Sequence, residues 1–250
     1  MLAPHRASYD LQLGVTRGAK SVAAADGRIA FEFTGDACTG YAMNFRQVTR
    51  IDDGEGSKKL SDLRNTSWED GQGKVFRFSI VGYTDGEITQ QSEGRADRGR
   101  KGDVAVKLAR PANTKLDFDD SFVFPSQHMR KLIEAARAGD HIKEIKFYDG
   151  SDGGQKVFDT LAVIGKEVPA GSEDGLEDVA KAAGLAAYRR WPVKLSYFEP
   201  GQGERTPLYV LGFDMFENGV SGHMVLDFGD FTLTSKMRSL DMLKTAACGK

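Results

Sequence analysis

The sequence predicts a mainly β protein in which one long antiparallel sheet curls around a single α-helix. Apolar and polar residues alternate along many short runs, Asp-Gly and Asn-Gly pairs separate these runs, and one stretch has clear helical periodicity. This spacing indicates about a dozen strands. Because so large a sheet exposes its edges unless it curls, we expect a barrel, a spiral or a sandwich, with the helix plugging or covering the concave face.

The strands follow from alternation with period two, which is typical of a strand with one buried face. The clearest runs are Tyr9–Val15, Ile29–Phe33, Phe76–Ile80, Val104–Leu108 and Val193–Tyr197. The best-defined hairpin joins 208–216 to 220–226 through Asn218-Gly219, a pair that suits a two-residue turn with positive φ. These signals are local, so they predict hairpins and leave the order of the strands open.

The helix is predicted at residues 125–139. Apolar residues recur there at helical spacing, namely Met129, Leu132, Ile133 and Ala136. We expect Ser126 to cap the N-terminus and Gly139 to end the helix. A weaker helical pattern runs from Leu176 to Ala187, but it contains Gly184 and several small side chains.

The chain is predicted to form a single domain over residues 1–250. It contains no repeat of fixed period and no Gly-Ser linker, and strand patterns lie on both sides of the central helix. The segment 166–187 has the weakest pattern of structure. We therefore expect it to be a mobile excursion from the sheet.

Charge and hydropathy exclude several classes of partner. The 34 basic and 36 acidic residues give a net charge of −2, so no overall field favours nucleic acid or an anionic membrane. A basic cluster at Arg95, Arg98, Arg100 and Lys101 lacks interleaved aromatic residues and is expected to keep a sheet edge soluble. No window approaches the roughly 18 to 20 apolar residues of a membrane span.

The motif search predicts neither an enzyme nor a metal or cofactor site. The four histidines have no metal-binding spacing, and Asp149–Gly154 lacks the glutamate that an EF-hand needs at position 12. That loop remains a candidate weak calcium site or a plain turn. The adjacent carboxylates at 52–53 and 119–120 point to opposite faces of a strand, so neither pair is suited to acid–base catalysis.

Trp68 and Trp191 are candidate anchors for a protein partner, because tryptophan is enriched where binding energy concentrates. Burial beside a hairpin turn is the alternative for both. The two cysteines, Cys38 and Cys248, would close a loop of about 210 residues if bonded, worth at most about 5 kcal/mol in the loop-entropy treatment. Two free thiols are equally ordinary in a chain of this length.

The order of several short motifs resembles the EipB family, the periplasmic cell-envelope-integrity proteins of alphaproteobacteria. The motifs are His5-Arg6-Ala7-Ser8-Tyr9, Ser67-Trp68-Glu69-Asp70-Gly71, Phe124-Pro125-Ser126-Gln127-His128 and Arg190-Trp191-Pro192-Val193, together with the two cysteines. The resemblance spans nearly the whole chain. It implies a β-spiral or broken barrel around one helix, an exported periplasmic protein whose signal peptide is removed, and a Cys38–Cys248 disulfide.

The resemblance also implies a role in maintaining the envelope against stress. That role would be exerted through envelope protein partners, of which a tetratricopeptide-repeat protein is one, and no catalytic activity accompanies it. Two alternatives stay open from the sequence. One is a periplasmic carrier of lipid or lipoprotein that uses an apolar cup, and the other is a glycan or peptidoglycan hydrolase whose carboxylates converge only in three dimensions.

Overall fold

A computed structural model describes residues 1–17, 22–118, 122–201 and 205–244. These residues form fifteen strands in one sheet, with two α-helices. The strands are β1 (His5–Thr16), β2 (Ala24–Asp36), β3 (Gly40–Asp52), β4 (Lys58–Glu69), β5 (Val75–Thr84), β6 (Glu87–Arg98), β7 (Val104–Arg110), β8 (Thr114–Phe118), β9 (Phe122–Val123), β10 (Ile142–Phe147), β11 (Phe158–Ile164), β12 (Arg190–Phe198), β13 (Tyr209–Phe216), β14 (Ser221–Asp227) and β15 (Phe231–Met242). The helices are α1 (Pro125–Ala138) and α2 (Asp178–Ala182).

The sheet is curled and not closed, which confirms the predicted mainly β fold around one long helix. Its strand order is β8-β7-β6-β5-β4-β3-β2-β1-β15-β14-β13-β12-β11-β10-β9. All pairings are antiparallel except that of β9 with β10. Every strand lies in this one sheet, and the assignment of residues 1–250 to a single domain stays a prediction.

The first and last strands pair with each other in the middle of the sheet. His5 lies opposite Met242, and Leu13 lies opposite Leu233. The strands from β1 to β8 extend from this pairing as one arm, and those from β15 back to β9 extend as the other. The strand pairing that joins the two arms of the sheet therefore depends on residues more than 200 positions apart in sequence.

The hairpin predicted around Asn218-Gly219 is confirmed. β13 and β14 pair on either side of it, and Gly219 has a φ of 87°, in the left-handed region that the turn requires. The weaker helical pattern divides into α2 and a short 3-10 turn at Leu185–Ala187. Gly184, with a φ of 78°, separates the two elements because its left-handed conformation ends α2.

The segment 166–187 packs against β1 and β15, in the middle of the strand order. Leu176, Ala180 and Leu185 are 6%, 1% and 0% exposed and lie in the same apolar cluster as Tyr9 and Met237. The mobility expected for this segment stays a prediction. These three buried side chains anchor the second half of the segment, because their removal from the core would expose apolar surface.

Helix α1 lies on the concave side of the sheet and confirms the helix predicted at 125–139. It ends at Gly139, whose φ of 83° gives the left-handed cap expected from sequence. Leu132 and Ile133 are 1% and 5% exposed and pack in one cluster with β12 and β13. The apolar stripe of α1 is therefore part of the main core.

The prediction that Ser126 caps α1 is wrong. The cap residue is Phe124, and Ser126 lies in the first turn, where its backbone N–H donates to Glu69 Oε2 at 2.7 Å. The N–H of Gln127 donates to the other oxygen of Glu69 at 3.3 Å. A carboxylate from β4 thus replaces the local cap, as is favourable at the positive end of a helix dipole.

Replacement of Glu69 by alanine should lower the free energy of unfolding by about 2 to 4 kcal/mol, because two buried N–H groups lose their acceptor. Glu69→Gln keeps an acceptor oxygen and serves as the matched control, with an expected loss of about 1 kcal/mol. Urea unfolding of both variants measures the difference. A neutral Glu69→Ala would show that this carboxylate does not hold the helix.

The pH dependence of unfolding tests the same contact independently. Burial raises the pKa of Glu69, while hydrogen bonds from Ser126 and Gln127 oppose the rise. A raised folded pKa means that the group stabilises the fold fully below the unfolded pKa, and that this contribution is lost as pH rises through the folded pKa. Glu69→Gln should remove that fall in stability. Urea unfolding at a series of pH values above the ordinary glutamate pKa measures the difference between the variant and the wild type.

Candidate partner-binding face

Trp68 lies on the outer face of the sheet, opposite the side that carries α1. Its neighbour Glu69 points inward to the helix, and successive side chains of a strand point to opposite faces. The indole packs over Gly40, where a Cβ atom would lie 2.7 Å from Trp68 Cζ2. The guanidinium of Arg77 lies over the indole, 5.6 Å from the ring centroid. Trp68 is partly exposed.

A row of four cations continues from Trp68 across the next strands. Arg77 of β5 lies opposite Trp68 and opposite Arg95 of β6. Arg95 lies opposite Lys107 of β7, which in turn lies opposite Lys115 of β8. Directly opposite residues share a face, so these side chains point the same way. We call Arg77, Arg95, Lys107 and Lys115 the cationic row.

The cationic row faces solvent because the residue next to each member along its own strand points to the other face and fills the core. On the same strands Phe76, Ala96 and Val106 are 1%, 0% and 0% exposed and point to the concave side. Together with Trp68 and Ser79, three members of the row line an open groove of about 520 Å³. The groove therefore combines an aromatic ring with positive charge.

Three carboxylates lie beside the cationic row on the same face. Asp97 accepts hydrogen bonds from Arg95 at 2.6 to 2.8 Å, and these bonds, helped by the nearby charges of Lys107 and Arg77, hold the pKa of Asp97 below its ordinary value. Glu93 forms an ion pair of 3.7 Å with Arg110. The third, Asp117, is two residues from Lys115 on β8.

The structure divides the basic cluster that the sequence indicated at 95–101. Arg98 points to the concave side, where its guanidinium lies over Phe122 and Phe124 at 5.5 and 5.2 Å from the ring centroids. Arg100 and Lys101 lie in the turn after β6. The cationic row was missed because three of its members come from β5, β7 and β8, and only the strand register brings them beside Arg95.

Trp191, the second candidate anchor, is 2% exposed and belongs to the core cluster around α1. The guanidinium of Arg189 lies 5.4 Å from its ring centroid. This environment matches the alternative of a buried tryptophan that the sequence left open. A partner could reach the indole only if the core opened, so Trp68 is the candidate anchor that the described surface offers.

The concave side of the sheet is filled by side chains of α1 and of the strands. Leu132 and Ile133 pack there against residues of β11 to β13, among them Ala162, Ile164, Val193, Leu195, Phe213 and Met215. The carrier alternative requires an apolar cup that is open to a lipid. Such a cup would form here only if α1 moved away from the sheet.

The buried titratable groups have partners within the fold. Asp149 accepts the N–H of Ser151 at 2.9 Å, and burial raises its pKa. His128 Nε2 lies 2.9 Å from Thr160 Oγ1, and burial lowers the pKa of His128 to about 4. Glu69 is engaged by α1. The hydrolase alternative needs two carboxyl groups aimed at a substrate, and Glu69 is already committed to the helix.

The paired carboxylates that the sequence singled out do not form a shared site among the described residues. Asp52 forms an ion pair of 3.4 Å with Lys58, and Asp53 accepts N–H groups of its own loop. Asp119 and Asp120 lie outside the described residues. Within the described part of the chain, no group of three or more His, Cys, Asp or Glu side chains is arranged to hold a metal ion.

The predicted Cys38–Cys248 disulfide stays a prediction because Cys248 lies outside the described residues. Cys38 lies in the turn between β2 and β3, where its N–H donates to Asp36 Oδ1 at 2.7 Å. Among the residues that the structure describes, no helix is both long and apolar enough to cross a membrane.

Comparison with known proteins identifies relatives over nearly the full length. A family model described as EipB-like matches residues 1–244. The cell envelope integrity protein EipB of Brucella abortus is 35% identical over 248 residues, which cover 98% of this chain and 85% of the relative. A crystal structure of a beta-barrel-like protein of a domain of unknown function from Brucella abortus matches with a TM-score of 0.87 and 34% identity, over 97% of this chain and 99% of that one. The chain therefore belongs to the EipB-like family.

Proposed function

We propose that this protein supports the integrity of the cell envelope as a non-enzymatic periplasmic protein that binds envelope proteins. The observation that carries the proposal is the 35% identity, over almost the whole chain, to a protein named for cell envelope integrity. A role in resistance to envelope stress is part of the same proposal. A tetratricopeptide-repeat protein is a candidate partner, as the family resemblance implies.

The binding surface that we assign to this role is the outer face of β4 to β8 around Trp68. It offers a partly exposed tryptophan beside Arg77, and tryptophan and arginine are the residue types most enriched where interfaces concentrate their binding energy. The opposite face of β5 to β7 packs in the core, which anchors the strands that present these side chains.

A deletion strain complemented with variants tests the role and the surface together. Wild-type protein should restore growth in deoxycholate, whereas the double variant Trp68→Ala/Arg77→Glu should not, although its melting temperature stays within a few degrees. Lys59→Glu, which changes an exposed lysine at the start of β4, is the matched control. Full growth with the double variant would remove this face from the function.

Location and partners are tested by fractionation and crosslinking of the complemented strain. We expect the protein in the periplasmic fraction and envelope proteins among the crosslinked products. The double variant should lose those products while it remains in the same fraction. Recovery of cytosolic proteins alone from the wild-type strain would contradict both the location and the binding role.

A further inference from the structure

The cationic row departs from a charge pairing that recurs elsewhere in this sheet. Several other cations lie directly opposite carboxylates, as in the pairs Arg6 with Glu32, Arg28 with Asp10, Arg50 with Asp26, Lys58 with Asp52 and Lys146 with Asp159. Arg46 and Arg64 are opposite each other, but both bind Asp62. Opposite charges in such positions stabilise a sheet, and like charges destabilise it.

Three consecutive like-charged pairs run along the cationic row. Arg77 faces Arg95, Arg95 faces Lys107, and Lys107 faces Lys115. Among the described residues, Asp97 is the one carboxylate that hydrogen-bonds to the row, through Arg95. The chain as a whole has a net charge of −2, so this is a local concentration of positive charge. Like charges directly opposite each other destabilise a sheet, so an anion bound on this face would offset repulsion within the row.

We propose that the cationic row binds an extended acidic segment of a protein partner, which lies across strands β5 to β8. Neighbouring strands are about 4.8 Å apart, so the row from Arg77 to Lys115 spans about 14 Å. In an extended chain, side chains on one face repeat every 6.6 to 6.8 Å or so, and three carboxylates at alternate positions span about 13 Å. The two total lengths are similar, so three carboxylates can be distributed along the four cations.

The surroundings of the row favour a narrow peptide over a membrane surface. Glu93, Asp97 and Asp117 flank the row and would repel a continuous layer of anionic headgroups. A single extended chain contacts the row without covering these carboxylates. Trp68, at one end of the row, supplies an aromatic surface for a side chain of the same peptide. This inference rests on the proposed function, because it specifies the chemistry of the partner.

Calorimetric titration with a synthetic peptide of alternating glutamate and serine tests the site. The wild-type protein should bind this peptide and should not bind its glutamine analogue, and the affinity should fall as salt is raised from 0.02 to 0.2 M or so, as expected for charge pairing on an exposed face. A change in tryptophan emission should accompany binding and disappear in Trp68→Phe, because Trp191 is buried. Equal affinity for the glutamine analogue would overturn the inference.

Lys107→Glu is the decisive variant. It places a carboxylate between Arg95 and Lys115, so its melting temperature should equal or exceed that of the wild type, while its affinity for the acidic peptide falls at least tenfold. Lys59→Glu has the same charge change at an exposed lysine outside the row and should keep wild-type affinity. Unchanged affinity in Lys107→Glu would refute the site.

Two further probes separate the sources of negative charge. One probe is a vesicle of phosphatidylglycerol, and the other is free sodium tripolyphosphate. Both should bind more weakly than the peptide, and tighter binding of either would overturn the assignment to a protein segment. The proposed function fails separately if the wild-type protein binds the peptide but does not restore growth of the deletion strain in deoxycholate. If Lys107→Glu loses the peptide and still restores growth, the row does not serve the proposed function and the inference is overturned. If the peptide does not bind and Lys107→Glu still fails to restore growth, the inference fails and the proposed function stands.

Discussion

Replacement of Leu132 by alanine should lower the free energy of unfolding by about 3 to 5 kcal/mol. The side chain is 1% exposed and lies where α1 meets β12 and β13. Its loss removes buried apolar surface and leaves a cavity between the helix and the sheet. Denaturant unfolding followed by circular dichroism measures the loss. The midpoint should fall without a change in the slope of the transition.

Glu134→Ala provides the control for this experiment. Glu134 lies two residues along the same helix and is exposed, so alanine there should change the free energy of unfolding by no more than about 0.5 kcal/mol. A result for Leu132→Ala as small as that of the control would place the stripe of α1 outside the core. If both variants lower the free energy of unfolding by the same large amount, the substitutions act on the helix itself and not on its packing.

Reduction of the predicted Cys38–Cys248 disulfide should lower the melting temperature by up to about 10 to 20 °C. A loop of about 210 residues is worth at most about 5 kcal/mol, and each kcal/mol corresponds to about 2 to 4 °C for a domain of this size. Thermal unfolding with and without reductant measures the shift, and a thiol assay verifies that reduction is complete.

The double variant Cys38→Ser/Cys248→Ser is the control for reduction. It should unfold at the temperature of the reduced wild type and should not respond to reductant. If the wild-type protein keeps its melting temperature after verified reduction, the disulfide does not stabilise the fold. If the oxidised protein titrates with free thiols from the start, the bond is absent.

Local sequence signals predicted the parts of the fold that depend on neighbouring residues. Asn218-Gly219 identified its hairpin because the turn needs positive φ at Gly219, and Gly139 identified the end of α1 because the left-handed cap needs positive φ there. Ser126 failed as a cap because its competitor, Glu69, lies 57 residues away along the chain. No local pattern can indicate such a partner.

The candidate site required information that a single sequence does not contain. Trp68 was identified by residue type alone, and Arg95 as part of a local basic cluster. Arg77, Lys107 and Lys115 each occupy an ordinary polar position in an alternating strand, so nothing marks them individually. They form a row only because three successive hairpins have registers that place them opposite one another.

The pairing of β1 with β15 determines when the sheet can be completed during synthesis. The ribosome makes β1 first and β15 last, so one edge of β1 has no partner until almost the whole chain exists. An unpaired strand edge readily joins other chains, and long-range pairings form slowly. One edge of β1 therefore stays open until β15 is available, and a chain that ended before Phe231 would leave that edge unpaired.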